Sequence, residues 1–181
     1  MSGLRTLVSL VRDRVRPFVM PNAHVSPSAT VIGNVALADH VFIMPNAVLR
    51  GDHLDPERLI RLGGYTVVGE NTVVSAAVQL GSWCVVGAGC GLGTGVQVGN
   101  RVALGDGTVV GEGAQLADEL CTEPRTVIPP GALLESGGRY GGNPAQRIGD
   151  WSEREVQQHC KRAEDICALG SWHAYEFLPL E

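Results

Sequence analysis

An aliphatic residue returns every six positions along this chain, and that stride constrains its fold more than any other feature. It begins at Val25 and runs through Val31, Leu37, Ile43 and Leu49. The polar stretch from Gly51 to Arg61 shifts the phase by one residue, after which ten consecutive positions from Leu62 to Leu116 hold the stride. Thr122 is its one polar member before Ile128, Leu134 and Tyr140, so the repeat covers roughly residues 25–145. A 3.6-residue period is absent and the turns come too often for a sandwich, which leaves a parallel β-helix. Three hexads close one triangular coil, equivalent positions stack about 4.8 Å apart, and about six coils are expected. Gly follows the aliphatic at 63, 69, 81, 87, 93, 99, 105 and 111, with Ser75 the exception, and is read as supplying positive φ at the corners. Four places after each aliphatic stands a small or β-branched residue, among them Thr66, Thr72, Cys84, Cys90 and Thr108, expected to fill the interior corners. With aromatics at 5% and 24 glycines, the core has to be thin and built from small side chains.

The two ends depart from the repeat, dividing the chain into an amino-terminal segment 1–20, a β-helix 21–146 and a helix with tail 147–181. In residues 1–16, Arg5, Arg12, Arg14 and Arg16 outnumber Asp13, and Leu4, Leu7, Val8, Val11 and Val15 recur at helical spacing. This reads as a short basic amphipathic helix, retained for targeting or for docking to a membrane surface or a partner. At the other end, a capping box formed by Asp150 with Glu153 or Ser152 with Glu155 opens a helix. Its apolar face is Val156, Cys160, Ala163, Ile166, Cys167 and Leu169, ending near Gly170. The net charge of −5 with dispersed basic residues excludes a nucleic-acid surface. No apolar run approaches a membrane span, and the five cysteines form no C-x-x-C pair. Cys84 and Cys90 are expected to face inward as small hydrophobes.

Val48-Leu49-Arg50-Gly51-Asp52 matches the V-L-R-G-D signature of the gamma-class carbonic anhydrases, and Ser26 to Gly33 matches the segment that precedes it. Gly141-Gly142-Asn143-Pro144-Ala145 is similar to that family's end-of-helix motif. Ala163, Leu169, His173-Ala174 and Glu176 resemble a tail pattern of its mitochondrial members. The resemblance implies a left-handed β-helix in a homo- or heterotrimer attached to the membrane arm of respiratory complex I. It places the chain in the mitochondrion, on the matrix side of the inner membrane, with other such subunits and membrane-arm subunits as partners.

The family's zinc is held by three histidines between protomers. Here the paired positions fall at Ala76 and Gly81, or one coil on at Ala88 and Gly93, with the earlier one near Ser75. No histidine lies between Leu54 and Gln158. A catalytic zinc needs three protein ligands and an open water position, so no metal and no cofactor are expected. The reading is therefore a subunit that is not an enzyme, with Arg50 and Asp52 kept as an interface or vestigial pair. Two alternatives stand beside it. One is a hexapeptide-repeat acyltransferase using coenzyme A, for which His40 or His53 would have to be the base. The other is a partner subunit in an active zinc carbonic anhydrase heterotrimer. His173 is expected to anchor the tail by hydrogen bonding.

Overall fold

A hexad bends into one side of a coil because two of its residues point inward, the repeating aliphatic and the small residue four places later. In the computed structural model both sets are buried, from Val31, Leu37 and Leu49 to Thr66, Thr72 and Val96. Residues 7–8, 16–52 and 58–176 are described, with backbone alone for 7–8, 171 and 173–176. The coils stack into three parallel walls of seven strands each. The first wall runs from Leu7–Val8 to Val127–Ile128, the second from Phe18–Val19 to Leu133–Leu134, and the third from His24–Val25 to Gly138–Gly141. An antiparallel strand, Gln146–Asp150, closes the last edge of the third wall through an irregular register. Hydrophobic residues of all seven coils join one continuous core.

There are thus seven coils rather than six, because the chain ahead of Val25 already belongs to the solenoid. Phe18–Val19 pairs with Ala36–Leu37, and Leu7–Val8 pairs with Val31–Ile32. The helix expected over residues 1–16 is not what Leu7 and Val8 form: the open edge of Thr30–Gly33 offers them backbone partners. The rest of that segment lies outside the described residues, as does His53.

The glycines after each aliphatic do a different job from the one expected. Positive φ falls two residues further on, at Tyr65, Ala77, Trp83, Gly89, Gly95 and their equivalents. A Cβ on Gly69 would lie 2.5 Å from the carbonyl carbon of Gly87, and one on Gly81 would lie 2.5 Å from the Gly99 oxygen. These glycines let successive coils approach at backbone distance. The polar corner residues complete the stack: Thr66 and Thr72 hydroxyls donate to the carbonyls of Gly81 and Gly87 at 2.8 and 2.9 Å. The thiols of Cys84 and Cys90 donate likewise to Gly99 and Gly105.

The C-terminal helix, Glu153–Glu176, starts on the Ser152–Glu155 box, where the Glu155 carboxylate accepts from the Ser152 amide at 2.9 Å. It crosses the third wall from the last coil to the first. Arg139 donates to Glu155 at 2.7 Å, and Trp83 donates to Glu164 at 3.2 Å. Gly170 packs on His24 and Phe42. Gly170 therefore does not end the helix; it is small so that the helix can lie against the first two coils. Val156, Ala163 and Cys167 are buried as expected, but Leu169 faces outward and is 54% exposed.

Candidate functional site

The strand Val48–Gly51 is twice the usual length and carries Arg50 outward at the corner between the first and second walls. Gly51 is pinched there, since a Cβ would lie 2.6 Å from the Asn34 carbonyl oxygen. Beyond that pinch Asp52 turns back on Arg50. Nε and one Nη of Arg50 donate to the two carboxylate oxygens of Asp52 at 3.3 and 3.0 Å, a bidentate fork. This hydrogen bonding and the Asp52 charge raise the Arg50 pKa. The pair is open to solvent, with side chains 60% and 31% exposed, so its worth lies in orientation more than in stability.

Because Val73–Val74 pairs with Val48–Leu49, Ser75 falls one coil on from Arg50. Arg50, Asp52, Ser75, Ala76 and Thr94 line a cavity of about 230 Å³. The structure thus brings together Arg50, Asp52, Ser75 and Ala76. Gly81, at the far end of the second wall, Ala88, at another corner, and Gly93, one coil on in Ser75's own column, are not part of that lining. The residue-level reading missed Thr94, although its spacing of one 18-residue coil from Ala76 marks it in the sequence.

Zinc does not fit this donor set. Hydroxyls, a methyl group and a carboxylate already held by an arginine replace the imidazoles, and no group of three metal-binding side chains occurs among the described residues. The thiols offer nothing better. Burial pushes Cys84 and Cys167 to about 12 and Cys121 to about 11, and it raises Cys90 and Cys160, so all remain protonated at neutral pH.

The histidines divide by environment. His159, on the helix, is buried with Nε2 2.8 Å from the Trp83 carbonyl oxygen and the Trp151 ring edge-on at 5.2 Å. Desolvation lowers its pKa. His24 lies under Gly170, and burial, then the nearby His40, lowers its pKa. His173 sits on the helix, but its side chain is outside the described residues, so the expected anchoring bond is too. His40 is the half-buried imidazole on a coil corner. It adopts φ 58° and stacks on Tyr65 at 4.7 Å, and Tyr65 stacks on Trp83 at 5.4 Å. This aromatic column is a second candidate surface that the sequence reading did not assemble. Tyr65 and Trp83 are one coil apart, while His40 is displaced by the insertion.

No family model and no curated protein matches the chain. Solved structures do. A hexapeptide transferase family protein from Anaplasma phagocytophilum matches with a TM-score of 0.84 and 27% identity, over 96% of this chain and 99% of that one. The perosamine N-acetyltransferase of Caulobacter crescentus, solved as a histidine mutant with CoA and GDP-perosamine, matches with a TM-score of 0.57 and 26% identity. That match covers 80% of this chain, which spans 58% of the other's length. UDP-N-acetylglucosamine O-acyltransferase from Moraxella catarrhalis, at 15% identity and TM-score 0.54, shows the fold alone. The chain is a left-handed parallel β-helix of hexapeptide repeats. The expectation that it is not an enzyme is overturned, because its neighbours in structure are a hexapeptide transferase family protein and an N-acetyltransferase, which points to catalysis.

Proposed function

We propose that this chain is a hexapeptide-repeat acyltransferase that moves an acyl group from a coenzyme A thioester to a small amine or hydroxyl acceptor. The observation that carries this reading is the end-to-end agreement with a hexapeptide transferase family protein. His40 is the base it would use. Its imidazole takes the acceptor proton as the acceptor attacks the thioester carbonyl; the C–S bond breaks, and the departing thiolate recovers that proton. Stacking on Tyr65 holds the ring plane. Exposed Val73 and Val109 on the first wall support association of copies. The test is consumption of acetyl-CoA against a panel of small amines and alcohols. His40→Asn, which tolerates the left-handed corner, should lower turnover by about 10²–10⁴-fold with stability unchanged. No thioester consumption with any acceptor overturns the reading.

A second reading rests on the Arg50–Asp52 fork and its cavity. It makes the chain a gamma-carbonic-anhydrase-like subunit of a mixed trimer on the membrane arm of mitochondrial complex I, at the matrix face of the inner membrane. Sister subunits would then supply the zinc ligands, and this chain would contribute Arg50 and Asp52. Isolating the native assembly, identifying its companions and counting zinc per trimer decides between the two. Respiratory-complex companions favour the second reading, and acyl-transfer companions the first.

A further inference from the structure

Seven coils span six gaps, about 29 Å, whereas a helix of the length found here is about 36 Å long. The helix runs from the last coil toward the first, so its final turns reach the amino-terminal end of the solenoid. Leu169 and Trp172, 54% and 70% exposed, flank Gly170 where it meets His24 in the first coil. Phe18 and Met20 of the same coil are also exposed, at 60% and 37%. Four apolar side chains, two of them aromatic, therefore gather at one end of the molecule. Beside them is an apolar slot of about 190 Å³, bounded by Phe18, Met20, Ala36 and Leu62 with Arg61 at its edge. The chain that leads into Phe18 carries Arg5, Arg12, Arg14 and Arg16 against Asp13 alone, in a protein of net charge −5.

We infer that this end docks on the surface of a membrane bearing anionic phospholipid. Aromatic side chains favour the boundary between headgroups and acyl chains, an apolar slot accepts hydrocarbon, and Arg61 at its edge meets lipid phosphate. An acidic protein whose sequence ahead of Phe18 is basic, and whose first coil and helix end expose Phe18 and Trp172, is suited to lie on such a surface by that end. No helix among the described residues is long and apolar enough to cross a membrane. The inference stands apart from either functional reading.

The full-length chain is mixed with vesicles of phosphatidylcholine alone and of phosphatidylcholine with phosphatidylglycerol. Binding is read by co-sedimentation and by tryptophan emission. Binding to the anionic vesicles, weakened by salt, with a blue shift that Trp172→Phe removes, is the expected result. Phe18→Ser and Arg61→Ser should each weaken it about tenfold with the urea midpoint unchanged, while Leu133→Ser at the opposite end leaves it intact. Equal binding to both vesicles, no binding, or indifference to Phe18→Ser overturns the inference. So does sedimentation showing that Phe18 and Trp172 instead hold a second copy of the chain.

Discussion

Gly69, which follows the repeating aliphatic Val68, and Gly91, which precedes Leu92, face opposite demands. A Cβ on Gly69 collides with the backbone of the next coil, whereas one on Gly91 meets nothing within 4 Å. Gly69→Ala should cost about 1–3 kcal/mol of stability, and Gly91→Ala should add about 0.5–1 kcal/mol, both read as urea midpoints. The sequence shows glycine at both places but cannot show the distance to a residue 18 positions away. The thiols give a second residue-scale expectation. Their folded pKa values lie above the unfolded value of 9.0, at about 12 for Cys84 and Cys167. Their contribution to stability is complete below pH 9 and is lost as pH rises through the window from about 9 to 12, because the unfolded thiols ionise first. Denaturation midpoints measured across that range check it.

At the scale of elements, the C-terminal helix shows how far periodicity reaches. Its apolar stripe was legible at Val156, Ala163 and Cys167, which bury as a helical face should. Leu169 fits the same stripe by spacing, yet it faces solvent because the helix is tied to the wall by Gly170 instead. His159 was not legible as an anchor, since its partner is a backbone carbonyl at Trp83, far away in the chain. Desolvation depresses the His159 pKa, so the stability it supports is present above the unfolded value of 6.5 and falls as pH drops below it. Acid should therefore loosen the helix, followed as rising amide exchange over Glu153–Glu176, and His159→Gln should flatten that dependence. At the helix start, Ser152→Ala should cost about 1 kcal/mol by thermal melting, because the Ser152 hydroxyl and the Glu155 carboxylate cap each other.

For the whole molecule, stability rests on one core that runs unbroken through all seven coils, each coil touching only its neighbours. Leu92→Ala, in the middle of that column, should cost about 2–5 kcal/mol, whereas outward-facing Val109→Ala stays within about 0.5 kcal/mol, both from urea unfolding. The candidate site was legible in part. Arg50 and Asp52 are two residues apart, so their fork is written locally, whereas Ser75 and Ala76 were singled out through the family resemblance and the pairing of Val73–Val74 with Val48–Leu49 is what sets them beside Arg50. The aromatic column of His40, Tyr65 and Trp83 was not, because the insertion near Gly51–Arg61 breaks the coil count between its first two members. By itself the sequence determined the coil: a six-residue alternation of inward and outward side chains leaves a triangular parallel solenoid as its solution. Only the tertiary structure decided which coils touch at backbone distance, where the helix lies and which side chains share a corner. Those depend on contacts between residues a coil or more apart, and hydrophobic burial, which sets the stride, is indifferent to them.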